Sequence, residues 1–238
     1  MPHLEGGLQR MNMLLLSAID MADAEDGETM AAHCSAMAKE MSKAGPDMAY
    51  IEDSMSRTLA SRREWVAQDN LSVDDVLKKY PSFAISSIVQ LEFKLLTKVS
   101  IMEKLEEVLG AAASKIIKVA RKKRHMQKFL EDLDAHIAAS DDAAIDELMV
   151  TAAICLMPAM VKERMESFIC HYDPTKMYYV PRVTFVGNLL TSREFVVRLE
   201  GINLKEESLL AAIAMQLALY WTMNIVFKKR AQRTFDLM

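Results

Sequence analysis

Cysteine, proline and glycine are scarce in this chain of 238 residues, numbering three, six and seven. The cysteines, Cys34, Cys155 and Cys170, are odd in number and share no repeated spacing. That excludes a disulfide framework and predicts free thiols in a reducing compartment, cytoplasmic or nuclear. The few glycines form neither G-x-G-x-x-G nor G-x4-G-K-[ST], so no phosphate-cradling loop is present in the sequence. A G-x-S-x-G elbow and a protease-type cysteine motif are also missing. His33-Cys34 and Cys170-His171 are adjacent pairs, whereas zinc ligands recur at spacings such as C-x2-C or H-x3-H. No metal, no cofactor and no catalytic residue is expected. The opening MPHLEGGLQR contains Glu5 and leads only into a brief apolar run at 13–16. It predicts no secretory or transit leader.

Alanine and methionine are plentiful, with 19 methionines, and both enter helices at little cost. Methionine also fills irregular core space, so its abundance predicts an adaptable core. Half of the residues are hydrophobic and about a quarter charged, as in a globular protein. The formal charge is −4, so the chain as a whole does not attract nucleic acid, and such binding requires a local patch.

The pattern divides into an N-terminal helical segment over 1–45, a helical body over 46–170, and a β-hairpin with helices over 171–238. In the first segment two helices are expected, broken near Gly27. After Gly45-Pro46, Asp47 caps a helix along which Met48, Ile51, Met55, Leu59, Arg62 and Val66 recur, with Asp53 and Arg57 paired on its outer face. Ser72 and Asp75 form a capping box, and Pro81 closes that helix. Ser87 with Gln90 is expected to open the next. Ser100 with Glu103 opens a stretch reaching residue 139, too long for one globular helix, so a break is expected at Gly110–Ser114 or within the basic run. The acids at 141–142 cap another helix, and Pro158 is expected to begin one ending near Cys170. Beyond 171, Val183 and Phe185, then Phe195, Val197 and Leu199, predict two strands, turned at Gly187-Asn188 or at Thr191–Arg193. Acids at 206 and 207 precede a strongly apolar helix, and a short helix ends the chain. The fold class predicted is a mainly α multi-helix bundle with a small C-terminal antiparallel hairpin, α+β in the last third.

Four stretches in order, PDMAYIEDSMSRTLASRREWV (46–66), DVLKKYPSF (75–83), LEFKLLTKV (91–99) and VVRLEGINL (196–204), resemble the C-terminal region of a vertebrate family expanded in fish. Its members are labelled as similar to sterile alpha motif domain-containing protein 3. The matching residues are Met55, Arg62 and Arg63; Tyr80, Pro81 and Phe83; Glu92 and Phe93; Glu200 and Gly201; and Thr234 and Phe235. The resemblance covers roughly 40–238. It departs at Phe227-Lys228-Lys229, where relatives carry Tyr-Pro-Lys. The sterile alpha motif itself is not visible, so self-association through that motif is not implied. The resemblance supplies no catalytic residues.

Carboxylate pairs occur at Glu106-Glu107, Asp132/Asp134 and Asp141-Asp142. On solvated helix faces they are expected to cap and solubilise, because acid–base work requires an environment that separates their pKa values. SLLAAIAMQLALYWTMNIVF (208–227) carries no charge over 20 residues, long enough to cross a bilayer. Its alanines, Gln216, Thr222 and Asn224 favour a core helix, and a tail anchor is the alternative.

The densest positive run is ARKKRH, 120–125. On a continuous helix, Lys118, Arg121, Lys122, Arg124, His125 and Lys128 occupy one half, with Ile116, Val119, Met126, Phe129 and Leu130 on the other. Lys123 falls among the apolar residues, which predicts a bend or joint at 120–125. Lys128 and Asp132 are expected to pair at i, i+4. The candidate basic patch is Lys118, Arg121, Lys122, Lys123, Arg124 and Lys128. The function expected is a non-enzymatic protein-interaction or scaffold module with a protein partner. A nucleic-acid-associated or nuclear protein using the patch, and a membrane protein tail-anchored through 208–227, are the alternatives.

Overall fold

Capping and proline rules set the first boundaries. In this computed structural model, residues 27–68, 71–227 and 231–238 are described, so the sequence expectations for residues 1–26 lie outside them. Helix α1 is Gly27–Met41 and α2 is Met48–Arg57. Asp47 caps α2 by accepting from the Tyr50 amide at 3.1 Å, and Arg57 bonds Asp53 at 2.8 Å. The single helix expected over 48–66 is interrupted at Thr58, and α3 follows as Leu59–Val66. The Thr58 hydroxyl donates to the Ser54 carbonyl at 2.8 Å, a back-bond that bends helices.

Ser72 and Asp75 form the predicted capping box on α4, Val73–Lys79. Pro81 ends it and begins a 3-10 turn, Pro81–Ala84, because proline disfavours helix in the residue before it. Helix α5 is Ser86–Thr97. It starts two residues earlier than expected, with Ile85 at the cap position and no side-chain cap, so Ser87 does not open it.

Two compact units are present. One contains the described residues up to Ser100 together with Glu200–Ile202 and Ala218–Val226. Its core includes the fully enclosed Met37, Ile51, Met55, Phe83 and Ile88.

The other contains Ile101–Leu199, Asn203–Leu217 and the described residues from Phe227 to Met238. Helix α6, Ile101–Ala120, runs unbroken through Gly110–Ser114, so of the two expected break points the basic run is the one used. Then come a 3-10 turn, Arg124–Met126, helix α7, Gln127–Ala138, and helix α8, Asp142–Met160, capped by Asp141 on the Ala144 amide at 3.0 Å. Ile117 and Ala120 of α6, Leu130 and Leu133 of α7, and Ala152 and Leu156 of α8 share one core.

Pro158 does not begin a helix; it lies inside the last turn of α8. Lys162 takes a left-handed φ of 61°, and the Glu163 amide bonds the Pro158 carbonyl at 2.8 Å, a common way to stop a helix. The stretch expected to be helical instead forms a 3-10 turn, Met165–Ser167, and strand β1, Ile169–His171.

The expected hairpin is present as β2, Arg182–Phe185, and β3, Phe195–Leu199, antiparallel with Val183 opposite Val197 and Phe185 opposite Phe195. Gly187 carries the positive φ, 80°, in their connection. The hairpin is the centre of a larger mixed sheet of order β1-β2-β3-β4, with β1 parallel to β2 and β4 formed by Ile202–Glu206.

Helix α9, Leu209–Thr222, begins after Ser208, whose hydroxyl accepts from the Ala211 amide at 3.1 Å. It is 14 residues long, about 21 Å at 1.5 Å per residue, short of the ~30 Å hydrocarbon core. Residues 212–220 are all buried. Among the described residues no helix is long and apolar enough to cross a membrane, which corrects the tail-anchor alternative. Gln216, fully enclosed, donates to the Phe168 and Pro181 carbonyls at 3.1 and 2.8 Å, a role for a polar group inside protein rather than lipid. Helix α10 is Gln232–Phe235. Glu163 accepts from the Arg233 and Thr234 amides at 3.0 and 2.9 Å and so satisfies its N-terminus.

Candidate interaction surface

The joint between α6 and α7 answers the conflict at Lys123. After Ala120, which is wholly enclosed, the backbone tightens: Lys122 and Lys123 bond the carbonyls of Val119 and Ala120, three residues back. Lys123 then becomes extended, at φ −106° and ψ 112°. The next buried side chain is Met126. All five residues between, 121–125, are exposed, so the break lets Lys123 face water with its neighbours. An unbroken helix would have driven its ammonium into the core, where an unpaired charge is costly.

Arg121 fastens the joint. Its guanidinium forks onto Asp134 of α7 at 2.9 and 2.5 Å, and its carbonyl accepts from Gln127 at 2.8 Å. The hydrogen bond from Arg121 holds Asp134 below the ordinary carboxylate range, and the same bond holds Arg121 above its own. The expected Lys128–Asp132 pair is not formed; the acid used on α7 is Asp134, reached from the neighbouring helix. Lys118, Lys122, Lys123, Arg124 and Lys128 are exposed and make no ion pair among the described residues. All six candidate residues are exposed, and one of them, Arg121, is paired with an acid. Val119, placed by the helical wheel on the apolar half, is 42% exposed, because α6 ends before that half is completed. Phe129 packs against the core cluster.

At the other end of α6 lies an open cavity of about 1020 Å³. Glu106 of α6, Asp146 and Glu147 of α8, and Glu206 and Glu207 line it beside Arg193 and Lys205, with Met102, Val150 and Leu210 as apolar wall. Arg193 is bonded to Glu147, and Lys205 stands 3.6 Å from Glu194. Five carboxylates thus face two cations that already have acidic partners. Sequence reading missed this cavity because its acids come from three separated stretches, none dense by itself. Of the pairs considered in the sequence, Glu106-Glu107, Asp132/Asp134 and Asp141-Asp142 are all exposed.

The first unit holds a different kind of charge. Arg62 and Glu92 are completely enclosed and form a two-pronged ion pair, with Arg62 also donating to the Thr58 hydroxyl at 2.5 Å and the Met55 carbonyl at 2.8 Å. The Tyr80 and Phe83 rings lie 5.4 and 5.9 Å from its guanidinium. Arg63 approaches Glu92 at 3.9 Å and donates to the carbonyls of Thr222 and Trp221 at 2.8 and 3.3 Å. It thereby caps the C-terminus of α9, the negative end of that helix's dipole. Burial lowers the Arg63 pKa, with Glu92 opposing and Arg62 adding to the fall. Tyr80 receives the Cys34 thiol at 3.3 Å, and burial first, then that bond, raises its hydroxyl pKa well above the ordinary. The cluster accounts for the enclosed charges as structure. His33 and Cys34 sit on α1, whereas Cys170 and His171 sit on β1, with the His171 ring centred 4.2 Å from that of Phe185 and tilted 41° to it.

Most of the residues that carry the sequence resemblance converge here. Met55, Arg62, Arg63, Tyr80, Phe83 and Glu92 touch one another within this core, and Phe93 meets Trp221 edge-on at 6.0 Å. Residues 30–85 match the family model for sterile alpha motif domain-containing protein 3, helical domain. The match runs from within α1 through the 3-10 turn after Pro81. No curated protein and no solved structure matches the chain.

Proposed function

We propose that this chain is a non-enzymatic protein-interaction module that engages an acidic partner surface through the α6–α7 joint. The observation that carries this reading is the cluster of five exposed, unpaired cations at a helix break, Lys118, Lys122, Lys123, Arg124 and Lys128. Charges held out of ion pairs keep their field for an incoming partner, where they steer encounter and set specificity. The joint exposes no Phe, Tyr or Trp, Phe129 packs against the core and His125 is its one exposed ring, so single-strand nucleic-acid binding lacks the run of stacking platforms that usually accompanies it. The match to a helical domain is in keeping with a binding role. Three free thiols agree with residence in the cytosol or nucleus.

The test is affinity capture from a cell extract with the tagged chain and with a variant carrying Lys122→Ala, Lys123→Ala and Arg124→Ala, the captured proteins being identified by mass spectrometry. Acidic proteins retained by the parent and lost by the variant are the expected result. Equal capture by both removes the joint from the reading. Recovery of the tagged chain only from the secretory pathway in fractionated cells contradicts the compartment.

A further inference from the structure

Two oppositely charged surfaces sit at opposite ends of one helix. The joint projects past the C-terminus of α6, and Glu106 stands in the wall of the acidic cavity near its N-terminus. From Glu106 to Ala120 the helix rises about 21 Å at 1.5 Å per residue. That separation prevents the joint from folding back into its own cavity. The helix dipole favours this distribution, acids early and bases late. The shapes are also opposed: the joint is a tight turn between two helices, with 121–125 all exposed, and the cavity is a concave space of about 1020 Å³.

We propose that the α6–α7 joint of one molecule docks in the acidic cavity of a second copy of this chain. The inference rests on the joint being an interaction surface and names its partner. Lys122, Lys123 and Arg124 enter opposite Glu106, Asp146 and Glu207, none of which has an ion pair among the described residues. Because the two faces differ, the contact is head-to-tail, and a pair of molecules retains one unused joint and one unused cavity. Association is weak and salt-sensitive, since its charges are exposed.

Sedimentation velocity over a concentration series of the pure full chain tests this. At low salt the average mass is expected to rise with concentration, and at high salt to return to that of the monomer. Two exposed-charge variants are expected to remain monomeric alone: Lys122→Glu/Lys123→Glu/Arg124→Glu, and Glu106→Lys/Asp146→Lys/Glu207→Lys. Mixed in equal amounts they are expected to associate again, because each supplies the charge the other has lost. Unchanged circular dichroism and urea midpoints confirm that both fold; if one does not, the single changes Lys123→Glu and Glu207→Lys take its place. A parent that stays monomeric at every concentration overturns the proposal, as does a mixture that stays monomeric. A monomeric parent that still loses captured acidic proteins with the joint variant defeats only self-docking and leaves the interaction reading standing. A monomeric parent retained on heparin through the joint assigns the surface to a polyanion and overturns self-docking.

Discussion

Arg62 and Glu92, thirty residues apart in sequence, form an ion pair in which neither side chain retains any solvent exposure. The pair joins α3 to α5, and its worth lies in being complete. Replacing Glu92 with Ala leaves Arg62 and Arg63 without their shared anion. We expect a loss of about 3–5 kcal/mol, the usual cost of breaking a buried pair. Replacing both partners, Arg62→Met with Glu92→Leu, removes the charge along with its need and should recover part of that loss. Urea denaturation of the parent, Glu92→Ala and the double variant decides it; a double variant less stable than Glu92→Ala contradicts the explanation.

Arg63 tests a separate contact. It closes the carbonyl end of α9 through Thr222 and Trp221. Arg63→Met retains much of the apolar stem and leaves those acceptors unmet. The expected loss is about 1.5–3 kcal/mol, the range for hydrogen bonds to charged groups. Amide exchange should quicken at the end of α9. An unchanged urea midpoint would show that water replaces the guanidinium without cost.

Acid should weaken the fold through its capping and paired carboxylates. The Ser72 hydroxyl lowers the Asp75 pKa, Arg121 lowers that of Asp134, and the Thr175 hydroxyl lowers that of Asp173. A depressed folded-state pKa means that the unfolded chain binds protons first. Stability from these groups is therefore whole above the unfolded value, about 4, and declines as pH falls through the folded values. Urea midpoints should hold near neutrality and fall in that acid window. Asp75→Asn should lower the midpoint at neutral pH and flatten the fall. A variant that differs from the parent equally at both ends of the window contradicts the role given to Asp75.

The three thiols should differ in reactivity. Cys155 is enclosed in α8, and burial raises its pKa well above the usual thiol range. Cys34 is buried with its thiol donating to the Tyr80 hydroxyl, whereas Cys170 is partly exposed. Titration of the native protein with a thiol reagent should modify Cys170 first, with the other two appearing only on unfolding. Early labelling of Cys155, located by peptide mapping, would show that α8 opens.

Gly187 has a left-handed φ of 80° and no atom within 4 Å of an added Cβ. Gly187→Ala therefore tests backbone strain without a clash. A loss of about 1 kcal/mol is expected, and no loss would mean the β2–β3 connection relaxes.

The sequence by itself determined features governed by neighbours a few residues apart. Asp47, Asp141 and the Ser72–Asp75 box cap their helices as read, because a cap is a local hydrogen bond. The β2–β3 pairing was legible from alternation, and the joint at 120–125 from Lys123's position on the helical wheel. Tertiary structure decided what depends on distant partners. Strand β1 is three residues long, and β2 turns it into a strand where a helix was expected from Pro158. The ends of α9 and the enclosure around it made a core helix of a segment whose hydropathy alone also suited a membrane. Spacing put Arg62 on the recurring face of its helix but gave it no partner; burial joined it to Arg63 and Glu92, and the acidic cavity exists only where three stretches meet. Hydrogen bonds between near neighbours are written in spacing; burial is a property of everything that surrounds a residue, and spacing does not carry it.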